Sequence, residues 1–406
     1  MNRTLNVHVR KDTWPAKGKL PAFPATFHKG LANYDLNIPA MLLFLGYLTT
    51  PTSSTGVSLS EFWAWVRYFA AVTSDSDMRL TRNFADLDAH QKTILSDDFG
   101  MGVPMLWLSE RLSLDRVCDG RYFMQRFAAD VDATANRTAK RGPNKTPDFV
   151  GRDTNGVWHV VECKGTQSGH DYSRNQLGDP WPLATGGVAQ KRSIVFPRGH
   201  VGQRLVCGLS IGVQQGKFPS LLTVIDPEPE EPFKIAARQM EAADDAVTRG
   251  VMSKALRLAG FETTAEATAS PLGRFPYSVR QQSKRSEEIR REGVEERDFR
   301  AREELDLAAG EATVFAGDGG YRGRERVFEL PRPIQIDDGP VRRVIVRQGV
   351  SARVLSYLRA RPTIEEPLSQ ADADWTEAVG RNVVKGDERS ASMTIGSLFR
   401  SELFLD

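Results

Sequence analysis

The stretch TPDFVGRDTNGVWHVVECKGT, residues 146–166, decides the fold prediction for this chain. It contains two β-rich runs, 148–152 and 157–164, separated by the triplet TNG at 154–156. Asn and Gly side by side between two such runs are typical of a tight turn. We therefore predict that the two runs pair as an antiparallel hairpin.

The charged residues of this hairpin suggest a site for a divalent cation. Side chains alternate between the faces of a strand, so Glu162 and Lys164 point the same way, and the turn brings Asp148 beside Glu162. Carboxylate oxygens select Mg²⁺ or Mn²⁺ over zinc. The backbone carbonyl of Cys163 would be a further oxygen ligand, while its thiol packs on the opposite face. Such an ion would activate water, and Lys164 would orient that water or neutralise charge in the transition state.

The surrounding sequence has the texture of an α/β core. The pattern predicts, in order, a helix, three strands, a helix and a strand, with one more strand after them. The hairpin supplies the second and third strands. The other elements are expected at 102–115 (helix), 122–132 (strand), 187–195 (helix), 204–211 (strand) and 221–226 (strand).

The P-D pair at 147–148 and the E-x-K triplet at 162–164, set in that order of elements, resemble the PD-(D/E)XK nuclease superfamily, which has a restriction-endonuclease-like fold. The resemblance covers roughly residues 101–226. It implies that the two acids bind a divalent ion and that the lysine acts in catalysis. The four specified residues alone also occur by chance, so the strand context carries much of the weight.

The resemblance also implies sites beyond the hairpin. Many relatives carry another acid on the helix before the first strand, for which Glu110 is our candidate, with Asp115 and Asp119 nearby as alternatives. Some carry Gln or Lys on the helix after the third strand, and Gln190 and Lys191 are plausible counterparts. Basic residues on either side of the motif are candidate contacts to phosphates: Arg137, Lys140, Arg141, Lys145, Lys191 and Arg192.

Composition points to an ordinary folded protein. The chain has 406 residues, with 54 Lys and Arg against 52 Asp and Glu, so its net charge of +2 does not itself indicate a nucleic-acid partner. The three cysteines are far apart in sequence and contain no CxxC pair, which favours a reducing, cytoplasmic location. The longest apolar run, 38–48, is about half of what a bilayer requires, so we expect a buried helix and no membrane partner.

Three regions are expected within an overall α/β fold. Residues 1–100 read as mostly helical, 101–232 as the nuclease domain, and 233–406 as a mixed α+β region for recognition or assembly. The acidic, Pro-rich segment 226–232 marks the second boundary. Within the last region, 280–304 mixes acidic and basic residues at helical spacing, as in an exposed helix.

These patterns favour a metal-dependent nuclease that acts on DNA, as a restriction or anti-phage defence effector. The alternatives are a non-catalytic nucleic-acid-binding or scaffold protein with a decayed nuclease fold, a DNA repair nuclease, or an RNA-cleaving nuclease. Double-strand cutting by one site per chain would favour a homo-oligomer. The kinase-like triplet 98–100 lacks the other motifs of kinases. The P-loop-like 212–217 is one residue too short and is followed by Phe218 where a P-loop has Ser or Thr. His159 is expected to pack within its strand, and His170 and His200 to lie in polar loops near the site.

Overall fold

The fold is described from a computed structural model. It covers residues 1–52, 63–130, 146–178, 194–226, 233–269, 283–309, 313–315, 320–336, 339–371 and 375–406.

The first half of the chain alternates strands and helices. Its elements are β1 (Asn2–Val9), β2 (Gly30–Asn37), α1 (Ile38–Thr49), a π-helical turn (Trp63–Arg67), α2 (Tyr68–Ala71), α3 (Arg82–Ala85), α4 (Ala89–Leu112), β3 (Leu114–Asp119), α5 (Gly120–Asp130), β4 (Phe149–Asp153), β5 (Trp158–Thr166), α6 (His170–Leu177), β6 (Ile194–Val195), β7 (Val201–Ser210) and β8 (Leu221–Ile225).

The second half begins with helices and ends with strands. Its elements are β9 (Phe233–Lys234), α7 (Met240–Ala259), α8 (Glu262–Ala269), α9 (Lys284–Ala309), β10 (Tyr321–Ile336), β11 (Gly339–Ser351), α10 (Ala352–Ala360), α11 (Trp375–Ala378), β12 (Asn382–Gly386), β13 (Ser390–Ile395) and β14 (Phe399–Leu405).

A seven-stranded mixed sheet forms the centre of the first half, in the order β2-β1-β8-β7-β5-β4-β3. Strands β3, β4 and β5 form an antiparallel meander, and β7 then runs parallel to β5. Helices α4 and α6 cover opposite faces of β5 and β7. Gly165 of β5 abuts α4, whereas Gly208 of β7, the lateral neighbour of Lys164, abuts Leu177 of α6. The protein is therefore a mixed α/β fold.

The predicted strand at 122–132 is wrong, because residues 122–130 belong to helix α5; residues 131 and 132 lie outside the described part of the chain. Tyr122, Phe123 and Phe127 are buried on one side of that helix, and their aromatic rings suggested a strand because such residues are enriched in strands. The first strand of the meander is β3, immediately before α5. Of the helix predicted at 187–195, residues 187–193 lie outside the described part, and the last two residues form β6.

The N-terminal region is only partly helical. The predicted buried helix is confirmed as α1, which begins where the side chain of Asn37 accepts a hydrogen bond of 2.9 Å from Ala40 N. Strands β1 and β2 were not expected. Burial alternates along β1, and β1 pairs with β8, so this region extends the large sheet. Helix α4 spans residue 100, where the first boundary was expected.

The C-terminal region is mixed α+β, with an antiparallel sheet in the order β10-β11-β14-β13-β12. The charge-rich segment expected to be an exposed helix is described from residue 283 onward and forms α9, which carries the ion pairs Glu296–Arg300 and Asp298–Arg302. Among the described residues, no helix has both the length and the apolar content needed to cross a membrane.

Helix α7 packs against the outer strand β3 of the large sheet. Asp244 of this helix accepts hydrogen bonds of 2.7 Å from both Arg116 of β3 and Arg152 of β4. Arg116 is buried, and these hydrogen bonds connect the C-terminal region to the edge of the large sheet.

Candidate active site at the β4–β5 hairpin

The hairpin predicted from the sequence is present, and its register brings the two predicted acids together. Phe149 pairs with Val161 and Arg152 with Trp158. Gly156 adopts a φ of +75°, which favours glycine, and its N–H donates to Asp153 O at 3.0 Å to close the turn. Continuing the register one residue beyond Phe149 places Asp148 opposite Glu162 on the same face of the sheet.

Short polar contacts hold these residues in place. Asp148 Oδ2 accepts a hydrogen bond of 2.7 Å from the N–H of Cys163. Lys164 Nζ forms an ion pair with Glu162 Oε1. Since the N–H and C=O of one strand residue point to the same side of the strand, the Cys163 carbonyl turns toward Asp148 as well. The thiol of Cys163 is buried, as expected.

Burial and mutual repulsion raise the proton affinity of both acids. Glu162 is 0 % exposed, and burial, followed by the negative charge of Asp148, raises its pKa to about 8. Burial also raises the pKa of Asp148, although the positive charge of Lys164 opposes this shift. The pKa of Lys164 is raised even though burial alone would lower it, because both carboxylates favour the ammonium form. Without a cation Glu162 therefore holds a proton near neutral pH, and a bound cation would favour its ionised form.

A third acid, Asp97 of α4, lies within electrostatic reach of the hairpin. Desolvation raises the pKa of Asp97 and the charge of Lys164 opposes that shift, while the charge of Asp97 raises the pKa of Asp148. Helix α4 can approach because β5 has glycine at 165, where a Cβ atom would lie 1.7 Å from the Ser96 carbonyl oxygen. Asp97 thus reaches the site from the face opposite to that of Lys164.

Sequence reasoning missed Asp97 and chose Glu110 on the same helix. The two residues are thirteen positions apart, about 20 Å along a helix. The carboxylate of Glu110 accepts a hydrogen bond of 2.9 Å from the Tyr34 hydroxyl. The structure therefore does not bring Glu110 to the hairpin. The sequence signal that could have identified Asp97 was the adjacent pair of acids at 97–98. The second of these, Asp98, accepts a hydrogen bond from the Tyr68 hydroxyl.

The alternatives to Glu110 have partners of their own. Asp115 forms an ion pair of 2.6 Å with Arg152. Asp119, at the end of β3, accepts from Lys254 Nζ at 2.7 Å and from a threonine hydroxyl, and its charge adds a minor contribution to the raised pKa of Asp148. Asp119 is thus a neighbour of the site.

The histidines behave as structural residues. His159 is buried, with Nδ1 accepting from Gln203 N at 3.0 Å and Nε2 3.4 Å from Asp153 Oδ2. His200 Nδ1 lies 3.3 Å from the Gly156 carbonyl oxygen. His170 begins α6 instead of lying in a loop.

The remaining predicted site residues fall outside the described part of the chain, so the structure gives no account of them; they are Gln190 and the basic set Arg137, Lys140, Arg141, Lys145, Lys191 and Arg192.

The donor atoms at the hairpin are of the kind that a hard cation prefers, but they are few. Glu162 Oε2 is buried and accepts no hydrogen bond of ordinary geometry among the described residues, although the Asp148 N–H lies near enough to the carboxyl to oppose the rise of its pKa. A buried oxygen held this weakly is available to a metal. The donor atoms of Asp148, Glu162 and the Cys163 carbonyl are all oxygen, which suits Mg²⁺ or Mn²⁺. However, the described residues contain no group of three or more His, Cys, Asp or Glu side chains gathered closely enough to hold a metal.

Comparison with known proteins finds no family model, curated protein or solved structure that matches this chain.

Proposed function

We propose that the protein is a nuclease that hydrolyses phosphodiester bonds of DNA with Mg²⁺ or Mn²⁺. The observation that carries the proposal is the group formed by Asp148, Glu162 and Lys164, in which two coupled carboxyl groups and an ammonium lie at one edge of the hairpin. A buried acid with a pKa near 8 is costly to keep for structural reasons alone, and such groups are concentrated at functional sites.

In this proposal Asp148 and Glu162 hold the cation and Lys164 serves the attacking water. Water molecules would complete the coordination, as is usual for Mg²⁺. When bound, the cation would polarise a phosphodiester oxygen and lower the pKa of a water molecule. The Lys164 ammonium would orient that water or neutralise charge that develops on the phosphate. Because the pKa of Glu162 is about 8 without a cation, metal binding at neutral pH would release a proton.

The topology gives a second line of support. Along the chain α4 is followed by β3, α5, β4, β5, α6, β6 and β7. With the inserted α5 and the two-residue β6 set aside, this is the element order of the PD-(D/E)XK nucleases that the motif resembles. This likeness is one of arrangement, and function is argued from the site. A restriction or anti-phage defence role remains part of the proposal on the same analogy.

The test is nicking of supercoiled plasmid DNA with Mg²⁺, compared with EDTA, by the full chain and by Asp148→Asn, Glu162→Gln and Lys164→Met. We expect each variant to lose at least about 100-fold in cleavage rate. The matched control is Glu110→Gln, an exposed acid on α4 that is far from the hairpin, and it should cut at the wild-type rate. Metal-independent cutting, or undiminished cutting by all three variants, would contradict the proposal.

A second candidate is a non-catalytic nucleic-acid-binding protein with a decayed nuclease fold. It is favoured by the lack of a three-ligand metal group among the described residues. This candidate predicts DNA binding by the wild-type chain without Mg²⁺-dependent cuts, so the plasmid assay and a binding assay on one preparation separate the two candidates.

A further inference from the structure

The loop between β7 and β8, residues 211–220, holds a large aromatic side chain in solvent. Phe218 is 58 % exposed. The loop itself is well fixed, since Arg79 Nη1 donates hydrogen bonds of 3.1 Å to the carbonyl oxygens of both Val213 and Gly216. The ring is therefore held at a fixed place in solvent, where a ligand can reach it.

The loop leaves the sheet at the same end as the candidate active site. Strands β5 and β7 are parallel, with Lys164 beside Gly208 and Thr166 beside Ser210. Ile211, the first residue of the loop, donates to Thr166 O at 2.8 Å. Thr166 is two residues, about 7 Å, beyond Lys164 along β5. The loop therefore begins within about one or two nucleotide spacings of the proposed catalytic lysine.

Neighbouring groups match the chemistry of nucleic acid. The ring of His170 lies 5.4 Å from that of Phe218, and its Nε2 donates to the Pro219 carbonyl at 3.1 Å, which braces the loop from α6. Lys217, next to Phe218, is exposed. An exposed ring beside a cation is the combination with which proteins stack a base and attract its phosphate.

We propose that Phe218 stacks on an unpaired base of single-stranded DNA that runs toward the hairpin. This inference rests on the proposed nuclease function and names its substrate class. A single strand is favoured over a duplex because the face of a base is accessible to a side-chain ring only when the base is unstacked from its neighbours.

The test measures DNA binding by fluorescence anisotropy in EDTA, so that no cleavage takes place. The probes are a labelled single-stranded oligodeoxynucleotide and the duplex that it forms with its complement. We expect Phe218→Ala to weaken single-strand binding about 5- to 150-fold and to change duplex binding less than about 2-fold. Phe218→Trp should restore single-strand binding. The matched control is Phe299→Ala. Phe299 is similarly exposed, at 60 %, but it lies on a different element, α9, which packs against α8 and α10.

The outcomes separate this proposal from the proposed function. Wild-type affinity of Phe218→Ala for the single strand, or an equal loss for single strand and duplex, would overturn stacking by Phe218 while leaving the nuclease proposal intact. Tight binding of the duplex by the wild-type chain, with no binding of the single strand, would also overturn stacking by Phe218 and leave the nuclease proposal intact. If the wild-type chain binds neither probe and cuts no plasmid, both proposals fail together.

Discussion

The raised pKa of Glu162 predicts an unusual pH dependence of stability that requires no substrate. A carboxyl with a folded-state pKa above its unfolded value contributes stability that is present below the unfolded pKa and is lost as the pH rises through the folded pKa. For Glu162 this window extends from about 4.5 to about 8. The metal-free protein therefore loses part of its stability over this window.

The upper limit of the effect follows from the same values. A rise in pKa from 4.5 to about 8 corresponds to about 5 kcal/mol at ~1.4 kcal/mol for each tenfold change in proton affinity. Relaxation and entry of water around the buried charge reduce this figure, so we expect at least about 2 kcal/mol. The ion pair with Lys164 already contributes to the value of about 8, so it needs no separate correction.

The perturbation is Glu162→Gln, which keeps the shape of the side chain but cannot ionise. We expect the free energy of unfolding of this variant, relative to wild type, to rise by about 2–5 kcal/mol between pH 5 and pH 9 in EDTA. Urea unfolding followed by circular dichroism at several pH values measures the difference, and pH effects common to both proteins cancel.

A matched control uses Glu292→Gln on an exposed part of α9, where the carboxylate stays hydrated, and its difference from wild type should be flat over the same range. A flat difference for Glu162→Gln, or one in which wild type gains stability relative to the variant as the pH rises, would refute the claim that Glu162 is held in a desolvated site beside Asp148.

Two further predictions concern the contact between α4 and β5. Gly165→Ala places a methyl group against the α4 backbone and should lower the free energy of unfolding by about 3 kcal/mol or more in urea titrations; a loss below about 1 kcal/mol would show that the helix is not packed this closely. Asp97→Asn should raise the Mg²⁺ concentration for half-maximal plasmid nicking about 10-fold, whereas Glu110→Gln on the same helix should leave it unchanged; equal Mg²⁺ dependence in both variants would exclude Asp97 from the site.

Local features of the chain were readily predicted. The buried helix α1 was predicted from the long apolar run at 38–48, because a helix that is apolar on all sides is typical of a protein core. Helix α5 shows where this reasoning fails. Its aromatic residues have strand propensity, but their packing against the large sheet and α7 decides the structure.

What the sequence by itself determined is the hairpin and the meeting of Asp148 with Glu162. The turn at 154–156 sets the register of the two strands, and the alternation of side chains then places these acids and Lys164 on one face. Both features are local, because the whole hairpin lies within a short segment of the sequence. Tertiary structure alone decided that Asp97, and not Glu110, comes near this group, from the opposite face of the sheet, and that Glu162 is fully desolvated. It also decided that β1 and β2 join the same sheet. These outcomes depend on how distant segments pack, such as the glycine contact between α4 and β5, and that packing has no local signature in the sequence.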